Sequence, residues 1–181
     1  MPETDNLTDV EAVALAIVRR SGPCTSYAVR KSFEVSPVSR FSSSAGSIYP
    51  LMKRLEKRGL IAGESDSTGD RPRTLWHCTN EGEAALRSWI TRPIEPGECL
   101  PFDPLRTRML FLKVLPARQR VSWVRTAQEH VEQAIETLKC YQDESPLERD
   151  VFFDLAHDSC LSMLRMQQRW LSKAHDALTA E

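Results

Sequence analysis

Residues 42–61 read SSSAGSIYPLMKRLEKRGLI. The stretch joins two halves of different character. The second places Ile48, Leu51, Met52, Leu55 and Leu60 at helical spacing, one apolar stripe with Lys53, Arg54, Lys57 and Arg58 mostly around it. The first half is serine and glycine, and Pro50 lacks the backbone N–H that a helix interior uses. A proline there is tolerated near a helix start, and deeper it kinks the helix. Ser44 or Ser47 is the N-cap, and both choices remain open at this level. Either one puts the helix-start N–H groups and the positive end of the helix dipole near residues 45–48. The hydroxyls of Ser44 and Ser47 add donors, and Gly46 allows close approach. Such an end suits a phosphate oxygen.

The rest of the helix extends that reading. The Tyr49 hydroxyl reaches a phosphate or sugar, unless the ring is a core aromatic. Lys53 and Arg54 lie further along and suit guanine edges or simple charge neutralisation, against the plainer alternative of a solvated basic face. Gly59 marks the C-terminal end. The run LIAGES then predicts a short strand, DSTGDRP a polar turn and RTLWHC a second strand, a β-hairpin with Arg71 and Arg73 at and just after its tip.

Upstream, TDVEAVALAIVRR at 8–20 predicts a helix with Thr8 as N-cap and Glu11 completing a capping box, stopped by Gly22-Pro23. Residues 25–34 predict a second helix capped by Thr25, with Tyr27 and Phe33 inward and Arg30 and Lys31 opposite. Thr79 caps another helix, NEGEAALRSWI, which ends before Pro93. Helix, helix, basic helix, two-stranded hairpin, helix is the order of a winged helix-turn-helix, with the third helix as recognition element and the hairpin as wing.

Four prolines at 93, 96, 101 and 104 make PIEPGECLPFDP a semi-rigid linker. Beyond it the pattern is helical: a short apolar helix at 105–115, a long one at 117–142, and a third at 146–178 opened by Ser145-Pro146. In the long helix Val121, Val124, Val131, Ile135 and Leu138 share one stripe with Gln128. The last helix is apolar on two faces. Leu147, Val151, Leu164, Leu171 and Leu178 line one, and Phe152, Leu155, Met163, Met166 and Trp170 line the other. One face packs on its own chain, and the other calls for a second chain. The fold class expected is mainly α with a small β-hairpin wing: 1–92 a winged helix-turn-helix, 93–104 a linker, and 105–181 a helical dimerisation region.

Charge supports a polyanion-facing surface confined to one segment. Net charge is −1, but 19–73 carries 11 Lys/Arg against 5 Asp/Glu, while 93–181 carries 11 against 14. No phosphate-binding glycine loop, nucleophile elbow or credible acid pair appears, so an enzyme is not expected. Histidines lack metal-ligand spacing, the odd number of cysteines lacks any C-x-x-C, and no cofactor or metal is expected. The acidic, polar N-terminus has no signal-peptide character and no apolar run is long enough to span a membrane, which points to the cytoplasm.

The run G-S-I-Y-P-L-M-K-R-L-E-K-R-G-L-I at 46–61 resembles the recognition-helix signature of the PadR family of bacterial transcription regulators nearly position by position. Gly22-Pro23 followed by Tyr27, and the strand leading to Thr79 and Gly82, add to the likeness. It covers 1–92 well and the remainder in layout only. Ser26-Tyr27 stands where the family often has Gly-Tyr, and Trp76-His77-Cys78-Thr79 where it often has Tyr-x-Leu-Thr. The resemblance implies a homodimeric repressor that binds double-stranded DNA, at a near-palindromic operator, and is released by a small-molecule effector. The aromatic side chains considered for an effector pocket are Trp89, Phe102, Phe111, Trp123 and Trp170, each otherwise a core residue. The competing functions are a winged-helix module that binds protein and not DNA, and a thiol-based redox regulator, for which Cys78 is the residue to watch.

Overall fold

The structure is a computed structural model that describes residues 6–34, 45–66, 72–100, 102–144 and 149–180. Its elements run α1 (Asp9–Ser21), α2 (Ser26–Glu34), α3 (Ala45–Lys57), β1 (Ile61–Asp66), β2 (Arg73–Cys78), α4 (Asn80–Thr91), α5 (Pro104–Leu110), α6 (Ala117–Glu144) and α7 (Val151–Thr179), with a 3-10 turn at Leu112–Val114. The chain is mostly helical with one small antiparallel sheet, and it forms two compact units that divide between Pro93 and Ile94.

In the first unit local chemistry and packing agree. The Thr8–Glu11 capping box forms in both directions at the start of α1, and Gly22 takes the positive φ of 68° that ends it. Gly59, at φ 71°, ends α3 and turns the chain into β1. The stripe of α3 is the centre of the core: Ile48, Leu51, Met52 and Leu55 are all buried, against Leu15 and Val18 of α1, Val29 and Phe33 of α2, and Ile61 of β1. Removing one such aliphatic side chain from water is worth about 1.5–3 kcal/mol, so the stripe fixes which side of α3 faces outward. β1 pairs with β2 from Ile61–Cys78 to Asp66–Arg73. Cys24, between α1 and α2, bridges to Trp76 on the other side of β2 through two backbone hydrogen bonds of 3.0 and 2.8 Å.

Tyr27 departs from the expected inward position and is 58% exposed. The inner face of α2 is Ser26, Val29 and Phe33, a helical i, i+3, i+7 set that turns Tyr27 outward. There the Arg30 guanidinium lies 5.1 Å from its ring centroid.

In the second unit α6 and α7 form an antiparallel helical hairpin. Val124, Ala127, Val131 and Ile135 of α6 meet Leu171, with Leu164, Trp170 and Leu178 packed at the edge of the same cluster. Two helix limits differ from the sequence expectation. Asp103 accepts from the N–H groups of Leu105 and Arg106, so α5 starts with Pro104 at its first turn and stops at Leu110 rather than 115. Helix α7 starts at Val151, not at Pro146, because Asp150 caps it by accepting from the Phe153 N–H.

Candidate nucleic-acid interface

With its apolar stripe buried, α3 presents Tyr49, Lys53 and Arg54 on its exposed side. Tyr49 is 51% exposed and is not a core aromatic. The helix begins at Ala45, so Ser47 lies inside the first turn and is not the N-cap. Pro50 is thus the sixth residue of α3, and the i→i+4 hydrogen bond that the Gly46 carbonyl would accept has no donor. Ser44 and Arg71 lie outside the described residues. Gly46 is within the first turn of α3.

Helix α3, the start of α2 and β2 enclose an open groove of about 480 Å³, lined among others by Tyr27, Tyr49, Lys53, Arg73, Thr74 and Trp76. Tyr27 and Trp76 were not among the residues picked out by the sequence for this face. Trp76 is buried, its indole N–H donating to Ser26 Oγ at 2.9 Å, and it forms the floor. Lys53 arches over it, with Nζ 5.2 Å from the ring centroid and 2.8 Å from Glu56 Oε2. Arg73 borders the groove from the wing, its Nε donating to Asp66 Oδ2 at 2.6 Å. The groove therefore has an aromatic wall, hydroxyls from Thr25 and Thr74, and cations from two different elements.

Arg54 points along another edge of α3. Its Nε lies 3.7 Å from Oε1 of Glu11, whose other oxygen accepts from Arg58 Nη1 at 3.2 Å. Burial alone would raise the Glu11 carboxyl pKa. Hydrogen bonds from Thr8 and the charges of Arg58 and Arg54 outweigh that and hold it below its ordinary value.

The residues singled out on the last helix separate into two groups. Leu171 is fully buried within its own chain, and Leu164, Trp170 and Leu178 pack beside it. Val151, Leu155, Met163 and Met166 are exposed, as is Phe152, and none of these belongs to the core that α7 shares with α6. Leu147 lies outside the described residues. Of the aromatics considered for an effector, Trp123 and Trp170 pack into the second core and Trp89 against the first, while Phe102 and Phe111 are exposed. Trp89 also lines a smaller hollow of about 330 Å³ with Asn6, Ser88, Thr91, Arg92 and Pro93.

Residues 14–88 match the model of the transcriptional regulator PadR-like family. That segment is similar to the PadR-like family. The matched span of this PadR-like domain runs from α1 through most of α4 and holds the whole groove. In fold, the full chain is similar to Bacillus subtilis PadR in complex with operator DNA: TM-score 0.75, 18% identity, 94% of this chain and 99% of that one. It is similar to a PadR-like transcriptional regulator of Bacillus cereus at TM-score 0.77 and 19% identity, over 98% and 99% of the two chains. Bacillus subtilis PadR in complex with p-coumaric acid gives TM-score 0.74 and 17% identity, over 94% and 98%. At these identities the likeness is one of fold. No curated protein matches the chain. No described helix is long and apolar enough to cross a membrane.

Proposed function

We propose that the PadR-like domain binds double-stranded DNA and that the whole chain acts in the cytoplasm as a homodimeric, sequence-specific repressor released by a small molecule. The observation that carries this is the convergence of Tyr49 and Lys53 from α3 with Arg73 from β2 on one groove. Cations from the helix and from the wing on a single face suit a phosphate backbone followed by a major-groove edge. Gly46 and Ser47 bring the positive end of α3 to the same duplex, and Ser44 and Arg71 extend the contact at either end of the chain segment. Arg54 supplies a second reading position.

The division of labour is a DNA-binding domain at 1–92, a linker at 93–104 and a dimerisation region at 105–181. Dimerisation falls to Val151, Leu155, Met163 and Met166, together with Phe152. Five large apolar side chains left in water on one helix form a strong drive for association. A two-fold dimer sets two recognition helices about 34–36 Å apart, so the operator is near-palindromic. Bacillus subtilis PadR has been solved in one complex with operator DNA and in another with p-coumaric acid, which supports release by a small molecule as the mode of regulation.

A thiol switch built on Cys78 or Cys24 is less well supported. Burial raises the pKa of both thiols. At Cys78 the Glu83 carboxylate raises it further, against a smaller lowering by Arg19, and a thiol kept protonated is a poor sensor.

Binding selection from random duplex DNA, followed by gel shifts across a salt series, tests the proposal. Enrichment of one near-palindrome with a steep salt slope is the expected result. A chain that enriches no sequence, or whose binding ignores salt, is a protein-interaction module instead.

A further inference from the structure

Glu11 does more than cap α1. It is only 8% exposed, and its Oε2 accepts from the Thr8 N–H and the Thr8 hydroxyl, both at 3.1 Å, and from Arg58 Nη1 at 3.2 Å. Its Oε1 faces Arg54 Nε at 3.7 Å. Capping needs the Thr8 contacts alone. Arg54 lies in the last turn of α3 and Arg58 just beyond its end, four residues on, so a single acid from α1 serves both.

Arg54 is engaged on its Nε side, while 58% of its side chain stays exposed. A guanidinium is a rigid planar fork, so an ion pair that draws its Nε edge toward Glu11 at 3.7 Å biases the direction of the terminal nitrogens. An unsupported arginine on a helix face samples many rotamers and takes whichever phosphate or base edge is near. One drawn toward a buried acid favours one orientation, which helps it choose between bases. Charge points the same way. An acid under a phosphate-facing surface weakens binding to all DNA, and its compensation is order in the cations above it.

We propose that Glu11 is a positioning residue for sequence discrimination: held in α1, it orients Arg54 toward one edge of the DNA. The inference rests on the DNA-binding reading above, and the test separates the two.

The probes are the duplex recovered by selection with the wild-type protein and a scrambled duplex of equal length. Glu11→Gln keeps the shape and a carbonyl acceptor for Thr8 but removes the charge. It should bind scrambled DNA more tightly with a steeper salt slope, while the ratio of selected to scrambled affinity falls about five-fold or more. Glu11→Asp keeps the charge and withdraws the carboxylate by one methylene. It should lower the ratio and leave scrambled-DNA binding unchanged. In an Arg54→Ala background neither substitution should alter the ratio. A purely structural Glu11 would lower both affinities together with the melting temperature, and that result overturns the proposal. So does an unchanged ratio in Glu11→Asp, or an equal fall with and without Arg54. If the wild-type chain selects no sequence, the DNA-binding reading itself falls, and Glu11 has nothing to position.

Discussion

Lys53 reaches from the recognition helix to the wing: its Nζ sits 5.2 Å from the ring centroid of Trp76. The ammonium lies over a buried indole and also meets Glu56 at the surface. One side chain thus takes part in core packing and in the charge of the groove, and two substitutions separate the roles.

Lys53→Met keeps an aliphatic cover over Trp76 and removes the charge. It should flatten the salt slope of DNA binding by about one unit with little change in melting temperature. Lys53→Ala should flatten the slope equally and, by also removing the aliphatic cover from the indole, lower the melting temperature more than Lys53→Met does. Salt-titrated gel shifts and thermal melts read the two effects. An unchanged slope in both variants would remove Lys53 from the DNA face.

Arg73→Ala combined with Arg71→Ala should lower affinity for all duplexes by a similar factor. Wing arginines reach backbone or minor groove more often than a unique major-groove edge. Titrations against the selected and scrambled duplexes compare the factors. A loss confined to the selected sequence would make the wing a base reader.

On α7 the exposed and buried residues should behave oppositely. Leu155→Glu with Met163→Glu should give a monomer in analytical ultracentrifugation, with helical circular dichroism retained, and should abolish specific DNA binding. Leu171→Ala should instead destabilise the helical unit by about 2–5 kcal/mol, because it empties a fully buried site. A full-length chain that is monomeric without substitution would refute the exposed stripe as a dimer face.

Glu11 also makes a prediction for acid stability. Its folded-state carboxyl pKa lies below the ordinary 4.5, so ionised Glu11 stabilises the fold fully above that value. The contribution is lost as pH falls through the lower, folded-state pKa. Denaturant unfolding of the wild type and Glu11→Gln, from neutral pH downward, should therefore show a gap that narrows below about pH 4.5. A gap that stays constant with pH would mean that the charge contributes nothing.

Periodicity and caps were legible in the sequence because they are local. The stripe from Ile48 to Leu60 is buried as its spacing requires, and Thr8, Thr25 and Thr79 each cap the helix they precede. What failed needed information from elsewhere in the chain. Tyr27 and Phe33 looked equally suited to the core until Val29 set the inner face of α2. The two apolar faces of α7 carry the same residue types, and only the approach of α6 shows that Leu171 is inside and Leu155 outside. Ser145-Pro146 and Asp150 are both sound openings by sequence, and it is Asp150 that caps α7 at Val151. The Glu11–Arg58 contact joins residues 47 apart, so a capping box was visible while its hold on α3 was not.

The backbone bridge between Cys24 and Trp76 bears on how the chain meets a protease. A cleaving enzyme draws its substrate segment out of the fold, and surface connections are its usual targets. The segment between α1 and α2 is such a connection by sequence. Yet extracting it would break both hydrogen bonds to Trp76 and disturb the ring that Ser26 holds by its indole N–H. Limited proteolysis should spare this connection while the wing is paired, and cutting at it would report that the wing has come away.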